Sequence, residues 1–323
     1  MPEVIKVSAP GKVLWIGSYS VVFGGISHVI AVNKRVRCEV AENNEWVIET
    51  SYGTFKGYGN ELTSSVINTM KKFFGSIGPY RVKLFNDPDF QVNGKKTGLG
   101  SSAAATVALT AALYFAVSNK LDLIQIHKIA QIANYNRQKG IGSGFDIAAA
   151  VFGSIVYKRF TDIEKMDFYY KKLELPPNIS MILGFTGKSS ITIELVRKFI
   201  EASSNEKFLY YLNLINKENE IAINLLELGR IIDACEHVRL ARKYLDKLAQ
   251  NIVGVKIVSR EELELINLAE RNGAYISLSP GAGGGDSLFA LGDNIDRVVE
   301  EWSKKGLKII RIRQDSGVRI DEG

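Results

Sequence analysis

Apolar residues recur along the chain with two periods, one typical of β-strands and one typical of α-helices. Short runs rich in β-branched and aromatic residues predict strands in the first half at 4–8, 29–31, 36–40, 46–50, 80–85 and 154–158. Longer stretches with an apolar residue every three or four positions predict helices at 61–74, 102–117 and 123–137. Because the strands cluster before the helices, this half favours an α+β fold over regular βαβ alternation.

The second half of the chain begins after a proline pair. Pro176 and Pro177 follow a charged stretch at 162–174, and proline interrupts helices and sheet ladders alike. We therefore expect two domains, at 1–175 and 176–323. Beyond the boundary, the pattern predicts strands at 181–185, 274–278, 287–291 and 307–313, and helices at 191–202, 206–228, 231–250, 261–271 and 294–304.

Composition agrees with a folded protein of this size. The chain has 323 residues, of which 46% are hydrophobic and 24% charged, close to the averages of globular proteins. The longest apolar stretch, 103–117, is shorter than the roughly 20 residues that span a bilayer. The N-terminus has the pattern of a strand and lacks that of a signal peptide. We therefore expect no membrane partner and a cytoplasmic location.

Charge and potential metal ligands narrow the range of partners. The net charge of +6 suits an anionic ligand. The basic residues occur in scattered pairs such as Lys71-Lys72 and form no tract, so nucleic acid is not expected. The cysteines and histidines show no metal-ligand spacing, so structural zinc is not expected either. A small phosphorylated metabolite fits this charge distribution.

The strongest chemical signal is a glycine turn that leads into an alanine-rich helix. Residues 96–105 read Lys-Thr-Gly-Leu-Gly-Ser-Ser-Ala-Ala-Ala. Gly98 and Gly100 allow positive φ angles and a close approach of ligand to backbone. Ser101 or Ser102 would cap the helix, whose unpaired amides and dipole attract phosphate. Taken alone, a simple capping turn explains the segment equally well. It is not a Walker loop, in which lysine follows the second glycine.

Two further segments have residues suited to binding anions. At 8–19 a strand is interrupted by Pro-Gly, and Lys12 at the bend would neutralise phosphate, although an exposed turn lysine is the alternative. At 279–286 the sequence Ser-Pro-Gly-Ala-Gly-Gly-Gly-Asp joins two predicted strands. So many glycines cost backbone entropy on folding, and a backbone cradle around an anion explains them better than a simple turn.

In order, spacing and sequence, the three segments together resemble the signature motifs of the GHMP kinases, which include galactokinase, homoserine kinase and mevalonate kinase. The resemblance spans nearly the whole chain. It implies a GHMP kinase fold of two α+β lobes, an N-terminal lobe similar to a ribosomal protein and a C-terminal ferredoxin-like α/β sandwich lobe. It also implies that ATP, Mg²⁺ and a small acceptor bind in the cleft between the lobes.

Four details are similar to the phosphomevalonate kinase branch of this family. Ser18-Tyr19 stand where mevalonate kinases and galactokinases usually have glutamate. Residues 142–148 read Gly-Ser-Gly-Phe-Asp-Ile-Ala, 184–187 read Gly-Phe-Thr-Gly, and the third segment ends in Asp286. Phe185 replaces the usual tryptophan and Asn134 the usual histidine. The implied reaction converts 5-phosphomevalonate into 5-diphosphomevalonate, with mevalonate or another hydroxyl acceptor as the alternative.

The resemblance also implies roles for individual residues. Lys12 and Asp146 are the expected catalytic residues, although Asp146 would also serve as the N-cap of a short helix at 147–151. The residues expected to bind ATP are Lys96, Gly98, Leu99, Gly100, Ser101, Ser102 and Ala103, with Ser102 also the Mg²⁺ ligand. The residues expected to bind the acceptor are Ser18, Tyr19, Ser143, Gly144, Lys188, Ser190, Gly283, Gly284 and Asp286, although Lys188 is equally well explained as an exposed loop lysine.

A phosphate acceptor changes the expected chemistry. A phosphomonoester has a second pKa of about 6, so it needs charge screening more than deprotonation. We therefore expect Asp146 mainly to orient Lys12. A non-catalytic nucleotide- or RNA-binding module is the remaining alternative, against which the presence of Lys12, Ser102 and Asp146 argues. Both a monomer and a homodimer are compatible with the sequence.

Overall fold

The computed structural model describes residues 4–188, 192–285 and 287–321, which form a mixture of helices and sheets. The helices are α1 (Glu61–Phe74), α2 (Ser101–Ser118), α3 (Leu123–Arg137), α4 (Phe145–Phe152), α5 (Thr192–Ala202), α6 (Glu206–Glu227), α7 (Ile231–Leu248), α8 (Arg260–Arg271) and α9 (Asp296–Lys304). The strands are β1 (Ile5–Ile16), β2 (Ser27–Glu42), β3 (Val47–Thr50), β4 (Gly53–Lys56), β5 (Tyr80–Asn86), β6 (Gln91–Val92), β7 (Lys95–Lys96), β8 (Ile155–Lys158), β9 (Tyr169–Lys172), β10 (Ser180–Phe185), β11 (Ile276–Leu278), β12 (Ser287–Gly292), β13 (Lys308–Ile312) and β14 (Arg319–Ile320). The predicted α+β class is confirmed.

The first sheet is built around two long strands, β1 and β2. Its order is β14-β1-β2-β5-β3-β4, and β8 pairs with the first residues of β2 and carries β9 on its other side. All pairs are antiparallel except β3 with β5. Two sequence predictions are wrong here. The chain does not leave the strand at Pro10-Gly11, and β2 is one strand of 16 residues where two short strands were predicted.

Both errors come from contacts that a local pattern does not contain. β1 passes through Pro10-Gly11 by a β-bulge, since its register with β2 shifts between these two residues. The polar middle of β2 pairs with the C-terminal segment: Asn33 N donates to Arg313 O (2.9 Å), and Asn33 Oδ1 accepts from Arg313 N (3.0 Å). The interruption of the apolar pattern therefore marks a long-range contact within a continuous strand.

Helix α2 lies at the centre of the first layer. It packs against β1 and β2 on one side and against α1, α3 and α4 on the other. Residues 103, 104 and 106–114 of this helix are buried. In the described chain, α2 is the one helix that is long and apolar enough to cross a membrane, judged by length and composition. Its position in the core explains that composition, because a helix buried on all sides is apolar on all sides.

The second sheet has four antiparallel strands in the order β11-β12-β10-β13. Helix α8 precedes β11 and α9 joins β12 to β13, which gives the βαββαβ succession of a ferredoxin-like fold. Trp302 of α9 and Ile182 of β10 are fully buried between the helices and the sheet. Helices α5, α6 and α7 form an additional segment between β10 and α8. The expected ferredoxin-like lobe is therefore present.

The chain passes from the first sheet to the second between Lys172 and Ser180. The expected boundary at 175 and 176 lies in this connection. However, the C-terminal tail returns to the first sheet, where Ile320 of β14 pairs with Val7 of β1. The division into 1–175 and 176–323 stays a prediction, and the tail beyond β13 belongs by its contacts to the first sheet.

A buried arginine fastens this tail. The Arg35 guanidinium donates to Ser8 Oγ (2.8 Å), Ser8 O (2.9 Å), Asp315 Oδ2 (3.0 Å), Ser316 O (3.0 Å) and Gly317 O (2.8 Å). These bonds use all the N–H groups of the guanidinium. Burial lowers the pKa of Arg35, whereas the negative charge of Asp315 raises it. An arginine nevertheless stays charged, so removal of its side chain leaves buried acceptors without donors.

We expect Arg35→Met to lower the free energy of unfolding by about 3 kcal/mol, because several buried hydrogen bonds are lost together. Urea unfolding followed by circular dichroism measures the change. Arg37→Met is the matched control: Arg37 lies two residues further along β2, is largely exposed and pairs with Asp87 at 2.9 Å. Its loss is expected to cost less than about 1 kcal/mol. Equal destabilisation by both variants would contradict the role given to Arg35.

Candidate active site

The main cavity has a volume of about 600 Å³ and lies where the three glycine-rich segments meet. Its walls come from β1, the N-terminal end of α2, the loop before α4, helix α5 and the turn before β12. Within the described residues, the charged side chains of the lining are Lys12, Lys96, Arg137, Lys139, Arg197 and Asp146. Five cations and one carboxylate in one cleft attract polyanions.

The N-terminal end of α2 opens into this cavity. Gly98 and Gly100 have φ angles of 83° and 78°, in the left-handed region that favours glycine. Gly100 is the N-cap, so the prediction that Ser101 or Ser102 caps the helix is wrong; they are its first two residues. The first intrahelical bond runs from Ala104 N to Gly100 O (3.1 Å). The amides before Ala104 therefore point out of the helix end, as in phosphate-binding helices.

Lys12 is joined to the same turn by its backbone and its side chain. Its amide donates to Leu99 O (2.9 Å), and its Nζ donates to Gly98 O (3.0 Å). The Nζ also lies 5.6 Å from the centroid of the Phe145 ring. A Cβ on Gly11 would lie 2.7 Å from Leu99 O, so the glycine before Lys12 permits this close approach. The bulge in β1 thus places an ammonium group beside the helix end.

The third segment, 279–286, packs against the other two. Gly281 N donates to Leu14 O (3.1 Å), and Tyr19 Oη donates to Ala282 O (2.6 Å). On the far side of the turn, Ser287 Oγ donates to Thr97 O (2.9 Å). Hydrogen bonds to main-chain oxygens thus join three segments that are separated by up to about 270 residues in the sequence.

Asp146 lies in the first turn of α4 and faces the cavity. Gly144, with a φ of 77°, is the N-cap of this helix, so the alternative in which Asp146 caps it is wrong. Asp146 Oδ1 accepts from its neighbour Ile147 N (2.9 Å). The turn before α4 is held from behind, since Gln131 Nε2 donates to Gly144 O (2.7 Å) and Tyr157 Oη donates to Ser143 O (2.9 Å).

The Tyr157 hydroxyl, which donates to the turn before α4, is kept neutral by burial and by the nearby charge of Asp146. Burial is the main cause that raises the pKa of Tyr157, and the negative charge of Asp146 raises it further. Tyr157 therefore stays protonated and can continue to donate to Ser143 O at any physiological pH. This hydrogen bond fixes the main chain two residues before the α4 helix begins.

The other residues predicted to bind the acceptor have different positions. Tyr19, Ser143 and Gly283 line the cavity. Ser18 and Gly144 are buried behind it, and Gly284 N donates to Ile257 O (3.0 Å). Ser190 and Asp286 lie outside the described residues.

Lys188 is not brought to the main cavity. Its Nζ pairs with Glu261 Oε2 (2.9 Å), and both side chains are exposed at the edge of a second, smaller pocket beside α8. The pairing raises the pKa of Lys188 and lowers that of Glu261. The arrangement corresponds to the alternative of an exposed loop lysine.

Sequence reasoning missed four arginine or lysine residues of this region. Arg137, Lys139 and Arg197 line the cavity. Arg242 of α7 lies behind it, where its Nη1 donates to Ser18 Oγ (3.2 Å) and its Nη2 to Ser279 O (2.6 Å). All four lie within helices or loops of ordinary composition, and Arg197 and Arg242 each belong to a basic pair like those on solvated helix faces. No local signal separates such residues from solvated ones, because only the tertiary contacts bring them to the site.

Both halves of the chain match models of one protein family. Residues 61–154 match the GHMP kinases N terminal domain, and residues 224–308 match the GHMP kinases C terminal domain. The chain is 60% identical over 322 residues to the phosphomevalonate kinase of Saccharolobus solfataricus, covering 98% of this chain and 99% of that protein. It is 27% identical to the mevalonate kinase of Pyrococcus abyssi, covering 100% and 99% of the two chains.

Solved structures agree in fold. The phosphomevalonate kinase of Streptococcus pneumoniae in complex with phosphomevalonate and AMPPNP superposes with a TM-score of 0.81 at 20% identity, covering 97% of this chain and 100% of that one. The mevalonate kinase of Methanococcus jannaschii superposes with a TM-score of 0.75 at 17% identity, covering 98% and 99%. At these identities the similarity shows the fold alone. A phosphomevalonate kinase and a mevalonate kinase both have this fold.

We expect Gly100→Ala to weaken ADP binding about tenfold, measured by titration calorimetry. The added methyl group would lie 2.8 Å from Lys12 Cε, so the lysine chain must move away from the helix end. Gly94→Ala is the control, because Gly94 also has a positive φ (75°) but a Cβ there meets nothing within 4 Å. Both variants pay a similar backbone strain of about 1 kcal/mol. Equal ADP affinities in the two variants would refute the dependence on Lys12.

Proposed function

This chain belongs to the GHMP kinases, and on that premise we propose that it transfers the γ-phosphoryl group of ATP to 5-phosphomevalonate, forming 5-diphosphomevalonate and ADP. This reaction is a step of the mevalonate pathway of isoprenoid biosynthesis. One observation carries the choice of acceptor: the chain is 60% identical, over nearly its full length, to a phosphomevalonate kinase. The geometry of the cavity supports it independently.

The charge of the cavity suits this pair of substrates. ATP and a phosphomonoester are both polyanions, and two unit charges 4 Å apart interact by about 4 kcal/mol at the effective dielectric of a protein surface. The two substrates therefore repel each other strongly unless cations lie between and around them. The lining supplies Lys12, Lys96, Arg137, Lys139 and Arg197, with Asp146 as the one described carboxylate.

The positions of these groups suggest how the substrates divide the cavity. We place the nucleotide phosphates at the N-terminal end of α2, where the amides before Ala104 and the helix dipole favour negative charge. The Nζ of Lys12, which donates a hydrogen bond to Gly98 O (3.0 Å), lies beside this helix end and would face the transferring phosphoryl group. The acceptor would then lie towards Tyr19, Ser143 and Gly283, which line the same cavity.

The described residues fit the Mg²⁺ ion that kinases use with ATP. Ser102 and Asp146 both line the cavity and supply hard oxygen donors. The Ser102 hydroxyl accepts from Arg137 Nη2 (3.0 Å) with one lone pair and keeps a second for the ion. Within the described chain there is no group of three or more His, Cys, Asp or Glu side chains placed to hold a metal. Mg²⁺ keeps several waters and is usually held by one or two protein oxygens together with substrate phosphates. When bound, the ion would supply charge screening at the phosphate oxygens.

The role of Asp146 follows from the acceptor. A phosphate with a second pKa of about 6 is mostly dianionic at neutral pH and can attack without prior loss of a proton. A general base is then unnecessary. We propose that Asp146, fixed by its bond to Ile147 N at 2.9 Å, acts by orienting Lys12. In a kinase for a hydroxyl acceptor, the same carboxylate would instead have to accept a proton.

The second candidate function is mevalonate kinase. It is favoured by the archaeal mevalonate kinases that align with the full chain at 27% identity, less than half the identity to the phosphomevalonate kinase. The proposed compartment is the cytoplasm, and monomer and homodimer both remain compatible with the contacts described.

ADP release is expected with phosphomevalonate and Mg-ATP, whereas mevalonate and homoserine should support less than about one hundredth of that rate. A coupled ADP assay with the three acceptors in parallel measures the difference. An acceptor without phosphate forgoes charge-assisted hydrogen bonds to the cations of the cleft, each worth about 1.5–3 kcal/mol, and a hundredfold difference corresponds to about 2.8 kcal/mol. Faster turnover of mevalonate than of phosphomevalonate would replace the proposed function by the second candidate.

Lys12→Met is expected to lower kcat about a thousandfold and Asp146→Asn about tenfold, because screening of charge is required and proton abstraction is not. Steady-state kinetics with phosphomevalonate at neutral pH give both values. Asn preserves the acceptor oxygen that Ile147 N binds, so the α4 turn is retained as a control on folding. A larger loss from Asp146→Asn than from Lys12→Met would show that Asp146 acts as a base.

A further inference from the structure

Arg137, the last residue of α3, lies at the N-terminal end of a different helix. Its Nη2 donates to Ser102 Oγ (3.0 Å) in the first turn of α2, and also to Asn134 Oδ1 (2.9 Å) one turn back on its own helix. Its side chain lines the main cavity and is half-buried. Its Nε is buried and has no hydrogen-bond partner among the described residues.

This position is electrostatically unfavourable without an anion. The N-terminal end of α2 already carries a partial positive charge from the helix dipole. The guanidinium adds a full positive charge there, and its described partners, Ser102 and Asn134, are neutral. By contrast, the buried Arg35 has Asp315 at 3.0 Å, and the half-buried Arg239 has Glu236 at 2.8 Å. Arg137 lines the cavity and has no negatively charged partner among the described residues, and these two facts together indicate an anionic ligand.

A second arginine, Arg159, makes contacts that stabilise the fold without reaching the cavity, and it serves as a comparison for Arg137. Arg159 is also half-buried with an unpartnered Nε, and its guanidinium donates to Gly140 O (3.1 Å) and Val22 O (3.4 Å). It thereby supports the loop between α3 and α4 from outside the cavity, which its side chain does not line. Arg137, by contrast, joins α3 to the first turn of α2 and presents its charge to the cavity.

We propose that Arg137 binds the polyphosphate of the nucleotide, and that Ser102 and Asn134 hold its guanidinium in place for this contact. The proposal rests on the placement of the nucleotide phosphates at α2. The planar guanidinium can donate to two phosphate oxygens at once, which suits a polyphosphate chain. Asn134 takes part because its amide offers an oxygen to Arg137 and a nitrogen to Gln138 Oε1 (3.2 Å).

The test is calorimetric titration of the full chain with ADP and with adenosine, in the presence of Mg²⁺. Arg137→Gln retains a donor near Ser102 but removes the charge. It is expected to weaken ADP binding about tenfold or more and to leave adenosine binding unchanged within about twofold. Arg137→Lys restores the charge without the planar donor pair and should recover part of the loss. Arg159→Met, which loosens the loop without removing a charge from the cavity, should change ADP binding less than threefold, roughly two thirds of a kcal/mol.

Several results would overturn the proposal. Wild-type ADP affinity in a folded Arg137→Gln protein would do so, as would equal losses for ADP and adenosine or an equal loss in the Arg159→Met control. A loss of phosphomevalonate binding with ADP binding intact would assign Arg137 to the acceptor and also refute it. The proposed function fails separately: if phosphomevalonate is not phosphorylated while ADP binding still depends on Arg137, the acceptor is wrong and the nucleotide contact stands.

Discussion

The site depends on main-chain hydrogen bonds between three glycine-rich segments that are far apart in sequence. The amide of Lys12 donates to Leu99 O at 2.9 Å, and Gly281 N donates to Leu14 O at 3.1 Å. The first of these contacts depends on glycine, because a Cβ on Gly11 would lie 2.7 Å from Leu99 O. Because main chain is harder to displace than side chain, the ammonium of Lys12 and the amides of α2 keep a fixed relation across one cavity.

The same helix connects the core to the chemistry. Helix α2 is buried along most of its length between β1 and β2 on one side and other helices on the opposite side. Its direction is therefore set by packing, and its N-terminal end is held open towards the cleft without a side-chain cap. The lining then surrounds that end with cations. Phosphate binding thus follows from the position of a core helix, and substitutions in the core should reach the site through its orientation.

The caps explain why the predicted serine cap of α2 and the alternative of an Asp146 cap on α4 were both wrong. Serine and aspartate are favoured N-caps, so Ser102 and Asp146 were plausible caps of α2 and α4. In the structure the N-caps are Gly100 and Gly144, both with positive φ. A side chain that caps its own helix is unavailable to a ligand. Glycine caps leave the Ser102 hydroxyl and the Asp146 carboxylate directed to the cavity, which is the arrangement that the proposed function requires.

Periodicity, glycine turns and motif order are local properties of the chain, so the sequence predicted the α+β class, the position of most helices and the family. It also placed Lys12 and the α2 turn at the site. The structure was needed to show that Arg137 and Arg197 line the cavity and that Lys188 pairs with Glu261 beside another pocket. It also showed that β2 continues through its polar middle. Side-chain partners and electrostatic neighbours depend on which distant segments pack together, and no local pattern records that packing.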